Sequence, residues 1–199
     1  MEILAVTTVF SAVATLAVLL RLYTRFWVVK APGVDDCLVV AALMADWVFY
    51  AFAVMEIHHG IGRPNETISA RDIRAALQAL YFAIPFYNLS LTLTKLSMTV
   101  MYMRIFPTPT MLLALRLLLA AVAVAGLWMV LSSFLYCIPV EAFWETRIST
   151  DHCLPQQIWY LSAALQITTD VAIVVFPMPV LGRLRVSTRQ RWAMVVVFG

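Results

Sequence analysis

Long apolar runs separated by short polar segments make up the chain. The runs are Ile3 to Leu20, Cys37 to Ile57, Ile73 to Phe106, Met111 to Tyr136 and Gln156 to about Leu181. Roughly 20 apolar residues span the hydrocarbon of a bilayer as a helix, so each run predicts one crossing. Ile73 to Phe106 is longer than one crossing needs. Its first part, IRAALQALYFAI, reads as an interfacial or extended helix, and Pro85 is expected to kink the run; membrane helices tolerate this where neighbours satisfy the freed carbonyl. Between the runs, Ala31-Pro32-Gly33 and Pro107-Thr-Pro109-Thr110 are turn signals, and His58 to Asp72 is polar and rich in Gly and Pro. The final run, Trp192 to Gly199, has eight residues, too few to cross.

Composition supports the same picture. The sequence is 63% hydrophobic and 13% charged, with mean hydropathy +0.89, whereas a soluble domain is about one quarter charged. The fold class is therefore all-α: a polytopic transmembrane helix bundle over residues 1–199, with five full spans and the start of a sixth, read as a fragment of a longer bundle. The lipid bilayer is the expected partner. A net charge of +3, divided among loops, gives no reason to expect nucleic acid.

Loop charge sets the orientation. The first run follows Glu2 and precedes Arg21, Arg25 and Lys30, the reverse of a signal peptide, so it reads as an uncleaved helix with its N-terminus outside. Nine of the 14 basic residues then fall on the inner side, including Arg104, Arg116 and the inner basic loop Arg183, Arg185, Arg189 and Arg191. Only Arg63, Arg71, Arg74 and Arg147 fall outside, in accord with the positive-inside rule. That loop would face anionic lipid or a cytoplasmic signalling partner. The sequon Asn65-Glu66-Thr67 falls outside, which makes Asn65 a candidate glycosylation site. Cys137 and Cys153 share one outer loop, where a disulfide is chemically permitted. Cys37, at the inner end of the second run, reads as a free, small apolar filler.

One lysine remains inside the membrane. An unpaired lysine at mid-bilayer costs about 3 kcal/mol or more. Counting about 1.5 Å per residue from the inner ends places Lys95, Asp170 and Asp46 near one level. An intramembrane ionic cluster is expected, with Lys95–Asp170 the first pairing and Lys95–Asp46 the second. Asn88, Thr94, Ser97 and Thr169 are available to complete a polar network. Asp35 and Asp36 open the second span, where carboxylates cap a helix and complement its dipole. His58 and His59 are adjacent and read as a solvated loop pair. Catalytic signatures are absent: there is no spaced histidine array, nucleophile elbow or phosphate-cradling glycine loop. No catalytic residue, metal or cofactor is expected.

Several motifs occur in a fixed order: Arg21-Leu-Tyr23-Thr-Arg25, Gly33-Val-Asp35-Asp36, Gly60-Ile-Gly62-Arg63, Lys95-Leu-Ser97 and Tyr102-Met-Arg104-Ile105-Phe106. Cys137-Ile-Pro139 with Trp144 and Cys153, Thr169-Asp170, Pro177-Met-Pro179 with Leu181 and Leu184, and Phe198-Gly199 follow. Together they resemble the rhodopsin-domain family of fungal integral membrane proteins. The resemblance implies a seven-helix parent, of which the seventh helix and tail are missing here, and a receptor-like sensor of the fungal plasma membrane. Members often carry His where this chain has Pro64. Lys95, on the third helix, reads as an ion-pair partner and not as a retinal anchor. The alternative expectation is a proton or solute transporter or channel lined by Asp46, Lys95 and Asp170.

Overall fold

The computed structural model describes residues 2–59, 69–106, 108–145, 153–155, 157–176 and 178. Five helices fill these segments: α1 Glu2–Tyr23, α2 Val34–His58, α3 Ala70–Ile105, α4 Pro109–Phe134 and α5 Gln157–Val175. All five are long and apolar enough to cross a membrane. The expected all-helical bundle of five spans is what forms. Asn65, Arg183, Arg185, Arg189, Arg191 and the run from Trp192 lie outside the described residues.

Each boundary has a local cause. Ser69 caps α3 by accepting from the Arg71 N–H. Pro109 sits in the first turn of α4, where its missing N–H costs no hydrogen bond. The last turn of α1 widens over Thr24–Val28, with the Val29 N–H donating five residues back to Thr24 at 2.8 Å. Lys30 then adopts φ 53°, in the left-handed region that costs a non-glycine residue about 1–2 kcal/mol, and the chain turns into α2. The extended stretch expected before Pro85 belongs to one continuous α3 of 36 residues, roughly 54 Å long. It therefore projects beyond the hydrocarbon. His58 ends α2 and His59 caps it; the His59 Nδ1 lies 3.4 Å from Asp72 on α3, so the pair closes a helix end, still exposed, and is not in a loop.

Several polar groups point inward, and many large apolar ones point outward. Ser11, Asp35, Asp36, Thr92, Lys95, Ser97 and Thr99 are buried, while α1 exposes Val9, Phe10, Val13 and Leu16 to the bilayer. Small residues let the helices approach, as membrane packing favours. Ala42 and Ala45 are buried on α2, and Ser90 of α3 donates to the Ala42 carbonyl at 3.0 Å. On α4, a Cβ at Gly126 would overlap the Thr92 side chain. The inner half of the core joins Tyr102 and Phe106 to Leu115, Leu118, Val122 and Ile173. Cys37 is exposed, so it fills no core space: its neighbours Asp35 and Asp36 take the inward face of that turn.

Candidate functional site

Charge is organised at two depths, beneath a cavity. At the inner end Asp35 is the hub. Its side chain is completely buried at the start of α2. Oδ1 accepts from Arg104 of α3 at 2.6 Å. Oδ2 accepts from Arg21 of α1 at 2.8 Å and from Arg25 at 3.3 Å. Arg21 and Arg25 are four residues apart and therefore share a helix face. Asp36 accepts from Arg21 at 3.3 Å and from the Gly33 N–H at 3.0 Å. Arg104 also donates to the Ala31 carbonyl at 3.0 Å, and Ser97 donates to the Asp35 carbonyl at 2.6 Å. Five ionic side chains thus tie α1, α2 and α3 together. A Cβ at Gly33 would overlap both Arg104 Nη1 and Asp35 Oδ1, so a larger residue there must displace these side-chain ends. The expected capping role holds for Asp36; Asp35 is instead an acceptor shared by three guanidinium groups.

At mid-depth, Lys95 of α3 reaches α5. Its buried ammonium donates to the Gln166 carbonyl at 3.0 Å, to Thr169 Oγ1 at 2.9 Å and to the Gln166 side-chain oxygen. Asp170 Oδ1 lies 3.1 Å away. An ammonium has three protons, so these acceptors satisfy it fully. Because ammonium only donates, the Gln166 amide oxygen must face it. The amide nitrogen is left buried with no partner, a position that costs about 1–3 kcal/mol.

A cavity of about 460 Å³ lies toward the outer side of Lys95, between α3, α4 and α5. Tyr81, Tyr87, Tyr136, Phe143 and Trp159 supply aromatic walls, and Asn88, Ser132, Ser133, Ser162 and Gln166 supply polar points. Asn88 donates to Ser133 at 2.9 Å, and Tyr81 donates to the Phe134 carbonyl. Phe143 reaches the cavity from the short helical turn Val140–Phe143. The Cys137–Cys153 disulfide fastens the chain on either side of that turn, and Leu154 donates to the Tyr136 carbonyl at 2.7 Å. Arg74 and Glu145 add an ion pair at 2.9 Å.

Of the residues expected to form the intramembrane cluster, Lys95 and Asp170 are brought together. Asp46 is not: its Oδ2 is buried without a partner, and no ion pair joins it to Lys95 among the described residues. Depth along the helix matches, but the Lys95 side chain is directed across to α5. Of the four polar residues expected nearby, Thr169 touches the ammonium. Asn88 faces the cavity, Thr94 bonds its own helix at Ser90, and Ser97 belongs to the inner hub. Gln166 was missed. Its signal was its place one helical turn before Asp170, on the same helix face. The Asp35 hub was also missed as an ionic centre, although its five members stand in the quoted motifs.

The fungal rhodopsin domain model matches residues 20–199. A protein named for a polyenoic acids biosynthesis gene cluster in Metarhizium anisopliae is 26% identical, over 96% of this chain and 53% of its own length. A SAT4 family membrane protein of Emericella nidulans is 26% identical, over 86% and 43% respectively. A fugralins biosynthesis cluster protein of Gibberella zeae is 24% identical, over 95% and 49%. The chain thus spans about half the length of the curated relatives it matches. No solved structure matches.

Proposed function

The chain belongs to the fungal rhodopsin domain family of membrane proteins, and from that premise we propose that it works as a receptor-like sensor of the plasma membrane. The observation that carries the reading is Lys95, an ammonium buried inside the helix bundle and held across the α3–α5 interface. The same α5 residue that receives it, Gln166, lines the cavity. A displacement of α5 at the cavity stretches charge-assisted bonds in low dielectric, where they change energy steeply with distance. Asp35 holds the inner ends of α1, α2 and α3 as a fixed frame against which α5 moves. The basic loop Arg183, Arg185, Arg189 and Arg191 is the proposed contact for anionic lipid or a cytoplasmic partner, and Asn65 the proposed glycosylation site.

The test uses full-length protein in lipid nanodiscs, with Cys37→Ser and spin labels at Ile105→Cys and Val175→Cys, both exposed positions at the inner ends of α3 and α5. Lys95→Met is expected to move or broaden the measured distance by about 1–2 Å or more, the scale of helix shifts in switching proteins. An unchanged distribution overturns the sensor reading. So does proton or solute movement in vesicles that Asp170→Asn abolishes.

A further inference from the structure

We infer that the cavity between α3, α4 and α5 binds an uncharged, largely aromatic or conjugated small molecule that presents a hydrogen-bond acceptor, such as a ketone, to Asn88 and Gln166. The inference rests on the sensor reading for its purpose but not for its chemistry. The volume of about 460 Å³ lies within the range of small-molecule sites. No Asp, Glu, Lys, Arg or His lines it among the described residues, so an ionised ligand would find no counter-charge in this mostly apolar lining, which disfavours it. Rings of Tyr81, Tyr87, Tyr136 and Trp159 offer flat apolar faces that favour offset stacking or edge contact with another π-system.

The polar points decide the rest. Tyr81 and Ser133 already spend their protons on backbone carbonyls, of Phe134 and Met129. Two amides retain N–H groups. Asn88 uses one of its two on Ser133. Gln166 Nε2 has no partner, because its oxygen is fixed by Lys95. An occupant that supplies an acceptor to either amide adds a hydrogen bond; one that supplies only hydrocarbon does not. A bond to Gln166 also joins the occupant to Lys95 through a single amide.

The experiment uses full-length protein in nanodiscs and 4-methylbenzophenone, a neutral aromatic ketone that crosslinks on irradiation. Adducts are mapped by mass spectrometry. They are expected on peptides containing Tyr81–Asn88 and Ile158–Ile167, at least tenfold above those formed by the ionised 4-benzoylbenzoate. Benzophenone is expected to compete at least fivefold better than diphenylmethane, which lacks the carbonyl. Ala163→Trp, which fills the cavity, is expected to remove these adducts while lipid-facing adducts on α1 persist. Equal labelling by the charged probe, equal competition by the hydrocarbon, or adducts that survive Ala163→Trp overturn the inference. Adducts without any change in the α3–α5 distance leave the binding site standing and remove the sensor role; a distance change on Lys95→Met without cavity adducts does the reverse.

Discussion

Removing the carboxylate of Asp35 should do more damage than removing any one of its arginine partners. Asp35 is completely buried and receives Arg104 at 2.6 Å, Arg21 at 2.8 Å and Arg25 at 3.3 Å. At an effective dielectric of 20, unit charges 4 Å apart interact by about 4 kcal/mol, and much of that is offset by desolvation. The net cost of breaking such a network by removing one buried partner is about 3–5 kcal/mol. Asp35→Ala leaves three guanidinium groups facing Asp36 alone, whose own contacts are longer, at 3.3 and 4.0 Å. Arg104→Met leaves Asp35 paired with both α1 arginines, so its cost should stay near 1.5–3 kcal/mol, the worth of a hydrogen bond to a charged group. The double variant should cost less than the sum, because the two changes remove the same contact. Equilibrium unfolding of the full-length protein in mixed micelles measures all three. The reasoning fails if Asp35→Ala lies within about 1 kcal/mol of the parent, or if the two substitutions add.

Gly126→Leu should force α3 and α4 apart at Thr92, costing about 1–3 kcal/mol as overpacking does. Gly126→Ala should cost less, and the same unfolding assay ranks the pair. Reducing the Cys137–Cys153 disulfide, which joins residues 16 apart, should lower stability by about 3 kcal/mol. Cys137→Ser with Cys153→Ser should reproduce that loss and remove any further effect of reductant in thermal melts.

Much of this protein was legible in its chain. Five spans follow from hydropathy, because a helix in lipid must be apolar along its full length and satisfy its own backbone. The spacing of Lys95 and Asp170 from the ends of their runs put them at one depth, since rise per residue is constant. Rotation about each helix axis was not legible. Soluble helices advertise their buried face by polarity, but α4 is apolar all round: Leu115, Leu118, Val122 and Met129 are buried while Leu113, Leu117, Val124 and Leu127 are exposed. Leucine suits either environment, so the sequence carries no azimuthal signal there. The same ambiguity kept Asp46 as a second candidate partner beside Asp170. Tertiary packing decided it, by directing Lys95 to α5 and leaving Asp46 elsewhere. It likewise gathered Arg21, Arg25, Asp35, Asp36 and Arg104 into one hub. Those charges were visible as motifs, but which carboxylate meets which guanidinium depends on how three helices meet beside Gly33, where a side chain would displace Arg104 and Asp35.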